Sequence, residues 1–150
     1  MAALKLLAIA VATGRIGYVY FIGDALRDWG ISRRASRSPA LAAAKAQAWI
    51  TTLKPDVVVS ERPDTARHKG AQSKALMEVI SKIAADAPVL DIAVERKRNF
   101  RNKYAEATEL AKRYPELLPW LPRVRRLWEP EPRNMIYFEA MALAENIKKI

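Results

Sequence analysis

Leu6-Leu7-Ala8-Ile9-Ala10-Val11 is an unbroken apolar run near the start of the chain. A strand with one wet face alternates apolar and polar side chains. A short run without alternation reads instead as a strand covered on both faces, the hallmark of a sheet between layers of helices. Working outward, Gly14 and Gly17 flank a turn, and Ile16 to Ile22 is rich in aromatic and β-branched residues. Gly23-Asp24 then supplies a hairpin turn into a strand over about Ala25 to Ile31. The first 31 residues therefore read as a three-stranded antiparallel meander, and four of the five glycines fall within it.

The rest of the chain alternates helix and strand. Residues 32–38 are polar and read as a loop. Ser38-Pro39 gives an N-cap followed by proline at the first helical position, and the alanine-rich helix that follows runs to about Leu53. Val57-Val58-Val59-Ser60-Glu61 reads as a second buried strand, followed by a polar segment to Gly70. Helical periodicity covers Ala71 to Asp86, and Pro88 to Val94 reads as another strand. A basic loop leads to a helix from about Asn102 to Tyr114. Five of the nine prolines lie between Pro115 and Pro132, which forbids a long helix there. Asn134 then caps a last helix running towards Ile150. The order β-β-β-α-β-α-β-α-α predicts one α/β domain over residues 1–150, a mixed sheet with helices on both faces.

Composition narrows the partners. The hydrophobic fraction of 51% argues against disorder, and the absence of cysteine excludes disulfides and thiolate metal sites and suits a reducing cytoplasm. No segment reaches the roughly 18 apolar residues of a membrane span. The run from Leu4 to Ala12 is too short for a signal-peptide core and reads as structure. Lys plus Arg number 26 against 16 acids, a net charge of +10. Such a charge attracts nucleic acid or an anionic surface. Between Glu95 and Arg126, ten basic residues stand against four glutamates, in broken segments that suit a phosphate backbone better than an amphipathic membrane helix. The competing reading is a solvated basic face that aids solubility.

Two acids stand out by position. Glu61 closes a run of valines at the C-terminal edge of a central strand, where open α/β sheets bind ligands. It is either a functional carboxylate or a solvated charge paired with Arg62. Glu139 falls inside the apolar stripe Ile136, Ala140, Leu143, Ile147 of the last helix. A carboxylate facing the core requires a cation, a proton or hydrogen bonds. A buried pair with an arginine would serve, as would a hard cation shared with Glu61. Phosphate-binding glycine loops and nucleophile elbows are absent from the sequence. His68 alone cannot build a histidine-rich zinc site. Trp120 and Trp128 flank a basic, proline-rich stretch and could either stack on bases or pin a loop to the core.

In order along the chain, these segments resemble the RNase H-like superfamily, in particular the RuvC-type Holliday-junction resolvases. Leu7-Ala8-Ile9-Ala10 with Thr13 and Gly17-Tyr18 is similar to the family's opening strand, Ile-Asp-x-Gly with a later Gly-Tyr. Val57 to Glu61 is similar to the strand ending in its second catalytic acid. Asn102-Lys103 opens a helix where the family often carries a basic residue near its site. Phe138-Glu139-Ala140-Met141-Ala142-Leu143-Ala144 is similar to its closing helix. The resemblance covers most of the chain and implies a Mg²⁺- or Mn²⁺-dependent endonuclease ancestry. It casts Glu61 and Glu139 as catalytic metal ligands and Lys103 as a residue beside the scissile phosphate. Arg62, Arg96, Lys97, Arg98, Arg101 and Lys103 would hold branched DNA, and a homodimer is the family's usual form.

The departures are as specific as the matches. The aspartate of the family's first strand falls on Ala10, its Pro-Gly turn on Val11-Ala12, and a further acid of its last helix on Ile136. A methyl group cannot ligate a metal ion; Asp64 or Asp91 would have to take its place. The sequence therefore points to a nucleic-acid-binding relative impaired in catalysis. Its rivals are an active metal-dependent endonuclease with a rebuilt site and a non-catalytic assembly protein.

Overall fold

A computed structural model describes residues 3–67, 69–97 and 100–148. Three antiparallel strands, β1 (Lys5–Ala12), β2 (Arg15–Ile22) and β3 (Ala25–Ser32), are followed by α1 (Pro39–Leu53), β4 (Val57–Glu61), α2 (Ala71–Asp86) and β5 (Leu90–Val94). Helices α3 (Lys103–Arg113) and α4 (Met135–Lys148) complete the described chain, with a short 3-10 segment, Pro115–Trp120, between them. The sheet order is β3-β2-β1-β4-β5, with β1, β4 and β5 parallel. This is the mixed sheet expected, with β1 at its centre. Arg98 and His68 lie outside the described residues, as do the final two positions of the expected last helix.

The unalternating pattern of β1 has the expected cause: both its faces are covered. Leu7, Ile9 and Val11 pack with Ala42, Ala46, Ile50, Leu76 and Ile80 of α1 and α2. Leu6, Ala8, Ala10 and Ala12 pack with α3 and α4 on the other face. The small side chains at 8, 10 and 12 let α4 lie close over β1, with its own Ala140 and Ala144 at 0% exposure. The helix ends follow the sequence as read. The Ser38 hydroxyl accepts from the Leu41 N–H at 3.2 Å, and Asn102 Oδ1 accepts from Tyr104 and Ala105.

Two elements differ from expectation. Helix α4 has no solvated face: every residue from Met135 to Glu145 is buried. The sheet covers one side of it, while α3 and the 3-10 segment cover another, so the predicted stripe was only part of a fully enclosed surface. The last parallel strand begins at Leu90, not Pro88, because residues 87–89 form a turn in which Val89 N–H bonds Ala87 O at 2.8 Å.

Candidate functional site

The C-terminal ends of β1, β4 and β5 lie side by side, and the face that meets α4 collects the acids. Ala8 pairs with Val59 in parallel register, and Ala10 and Glu61 each follow two residues further along their strands, on the same alternation. Glu61 in turn pairs with Val94, and Arg96 follows two residues later on the same alternation. Both Glu61 and Glu139 are buried, at 8% and 5% exposure. The sheet edge and α4 thus bring the two sequence-predicted acids to the same face.

Glu139 is neutralised from within the protein. Arg96 Nη1 lies 3.5 Å from its Oε1, and Lys103 Nζ lies 3.9 Å from the same oxygen. Arg96 also donates to Glu106 Oε1 at 2.5 Å. Lys103 bonds Glu131, which is held on its other oxygen by Arg15 at 3.2 Å. Arg15, Arg96 and Lys103 therefore alternate in space with Glu106, Glu131 and Glu139 as one charge-balanced chain. The buried pair with an arginine expected for Glu139 is present, its partner being Arg96.

Several expectations change with this placement. Arg96, expected on a phosphate backbone, has a side chain only 7% exposed and is committed to Glu106 and Glu139. Arg62 pairs with Asp64 at 2.7 Å, so Asp64 points to a surface ion pair and not to the site. Asp91 sits one residue before Ile92, which packs on the α4 side, and so belongs to the opposite face of β5. It cannot replace the acid missing at Ala10. Its carboxyl is pushed above the ordinary value by burial. Lys97 and Arg101 are exposed, and Lys103 is half-buried against Glu131.

Glu106, Glu131 and Arg15 were not foreseen. Glu106 carried a signal of the same kind as Glu139, since it lies on the face of α3 that holds Ala107, Leu110 and Ala111. Glu131 lies in a proline-rich stretch without periodicity, and only the fold brings it to Lys103. The same holds for Glu145, which is buried on α4 and bound by Arg113 at 2.9 Å and the Tyr114 hydroxyl at 2.6 Å.

Among the described residues no divalent-cation site is formed. A hard cation takes six or more oxygen ligands, usually with more than one carboxylate. Among the described residues no three His, Cys, Asp or Glu side chains come together as such a group. Ala10 offers a methyl, and Ile136, at 0% exposure, packs against Gly17. Glu139 Oε2 is buried without a hydrogen-bond partner, and the other oxygen of the same carboxylate faces Arg96 and Lys103. The guanidinium beside it opposes any second positive charge at this spot.

No protein-family model and no curated protein sequence match the chain, but solved structures do. Thermus thermophilus RuvC in complex with a Holliday junction substrate superposes with a TM-score of 0.64 at 13% identity, over 94% of this chain and 90% of that one. Fowlpox virus resolvase, solved with its Holliday junction DNA, gives 0.60 at 13% identity over 97% and 99%. The yeast mitochondrial Holliday junction resolvase gives 0.61 at 10% identity over 95% and 77%. At these identities the likeness is one of fold, and it defines the class: an RNase H-like α/β fold. Within that class its fold is similar to that of RuvC.

Proposed function

We propose that this protein binds branched DNA and does so without metal-dependent strand cleavage. The observation that carries the reading is the Arg96–Glu139 pair: a guanidinium occupies the acid that a metal-dependent site would need, next to a strand end where Ala10 supplies no ligand. The fold is shared with proteins solved on Holliday junctions, and a net charge of +10 favours a polyanion. Exposed Lys97 and Arg101, with Arg98 between them, are the contacts proposed for the DNA backbone. Glu61 and Glu139 then hold the site together, and Lys103 positions Glu131. A gel-shift titration with a four-way junction, a duplex of the same length and a single strand tests the binding. Tighter binding to the junction is expected; no retention of any DNA at low salt would overturn the reading.

A further inference from the structure

The connection between the Pro115–Trp120 segment and α4 is a strap tied down at both ends. At one end Trp120 meets Trp29 edge-on, with ring centroids 5.4 Å apart. At the other, Glu131 is gripped by Arg15 and Lys103, and Arg15 also reaches Pro132 O at 3.4 Å. Between these anchors every residue from Arg123 to Pro130 is exposed. An open groove of about 1190 Å³ lies along the strap, against the β1–β2 turn.

The lining of this groove is selective. Among the described residues, Arg33, Arg123, Arg125 and Arg133 face it without any ion pair. Trp128 is 77% exposed in the same wall, and the Arg126 guanidinium carbon lies 5.7 Å from its ring centroid. A fixed strap that leaves a tryptophan in water has gained nothing from burying it, so the ring is available to a ligand. Guanidinium groups match phosphate oxygens in a bidentate manner, and an indole matches the face of a base. Duplex bases offer no free face along their length; an unpaired nucleotide does. Glu131 is both a wall of the groove and the partner of Lys103, so the groove borders the Glu139 cluster.

We propose that this groove is a binding site for an unpaired DNA segment, one base stacking on Trp128 and the phosphates held by Arg33, Arg123, Arg125 and Arg133. The proposal rests on the branched-DNA reading above and adds to it the element recognised, the unpaired nucleotides at a branch. An acidic segment of a partner protein would satisfy the arginines but not the ring.

The test uses the full chain with an oligothymidylate of about 12 nucleotides carrying one 2-aminopurine, read by fluorescence, beside the labelled four-way junction. Trp128→Ala is expected to weaken oligonucleotide binding about tenfold and to abolish the 2-aminopurine quenching, while Trp128→Phe keeps most of both. The double variant Arg123→Ala, Arg125→Ala is expected to flatten the salt dependence of oligothymidylate binding by about 1.4 units of slope. Wild-type-like binding and quenching by Trp128→Ala would overturn the groove assignment and leave junction binding standing. Displacement of the oligonucleotide by polyglutamate as readily as by unlabelled oligothymidylate would likewise overturn it, in favour of an acidic peptide. Failure of the unaltered protein to bind either DNA would overturn both readings. Because the substituted side chains are exposed, unchanged melting temperatures are expected and separate loss of binding from loss of fold.

Discussion

Arg96 Nη1 lies 3.5 Å from Glu139 Oε1, and both side chains are 7% exposed. An ion pair so enclosed is held by mutual need: each charge was taken from water and each has the other as compensation. The second nitrogen of Arg96 serves Glu106 in the same way, which ties β5, α3 and α4 together at the edge of the sheet.

Removing the arginine is therefore expected to cost far more than the pair contributes. Arg96→Met should lower unfolding stability by about 3 kcal/mol or more, because buried Glu106 loses its cation and Glu139 keeps only Lys103 at 3.9 Å. Urea unfolding at neutral pH measures it. The triple variant Arg96→Met, Glu106→Gln, Glu139→Gln should regain most of the loss, since amides carry no charge to compensate. A loss below about 0.5 kcal/mol for Arg96→Met, the range of ordinary surface substitutions, would show that the carboxylates find other partners.

Gly17 pairs with Ala10 and Ile31 across the sheet and faces Ile136. A methyl at this position would stand 2.8 Å from Ile136 Cγ1 and 3.2 Å from Gly30 O. Gly17→Ala should destabilise by about 1–3 kcal/mol through overpacking. Combining it with Ile136→Ala should cost less than the two single changes added together, because the truncation makes room for the methyl. Thermal unfolding of the four proteins completes the cycle. Strict additivity would show that Gly17 and Ile136 do not press on each other.

The legible part of this protein was the part governed by periodicity. The even burial of β1 and β4, the Ser38 and Asn102 caps and the inward position of Glu139 all follow from local pattern. The pairing of Glu139 was not legible, because Arg96 lies in an aperiodic basic segment whose direction is set by β5 alone. Arg96 was read as surface charge for that reason. The strap was equally opaque: prolines exclude a helix there but say nothing of Glu131 meeting Arg15 and Lys103. The mixed sheet, an antiparallel meander followed by parallel strands, was legible from the order of the elements, whereas the spatial order β3-β2-β1-β4-β5 is seen only in the fold.

Asp91 gives a pH dependence with a fixed sign. Its Oδ1 is buried without a hydrogen-bond partner, and burial raises its pKa above the ordinary carboxylate value. A carboxyl raised on folding binds its proton more tightly in the folded state. Its ionisation therefore removes stability as pH climbs from the unfolded value through the folded one. Asp91→Asn should be more stable than the unaltered protein at pH 7, and the advantage should vanish as pH falls below the ordinary carboxylate range. Melting temperatures across pH 3–8 read this directly. An advantage that grows on acidification would contradict the sign.

On the function proposed above, the arginine-held carboxylate leaves this protein able to bind a junction and unable to cut it. The most direct measurement incubates a strand-labelled four-way junction with saturating protein in EDTA, Mg²⁺ and Mn²⁺, and runs each sample on native and denaturing gels. The account predicts a retained complex in all three, with strands intact throughout. Paired nicks near the branch point in Mg²⁺ or Mn²⁺, absent in EDTA and abolished by Glu61→Ala or Glu139→Ala, would contradict it.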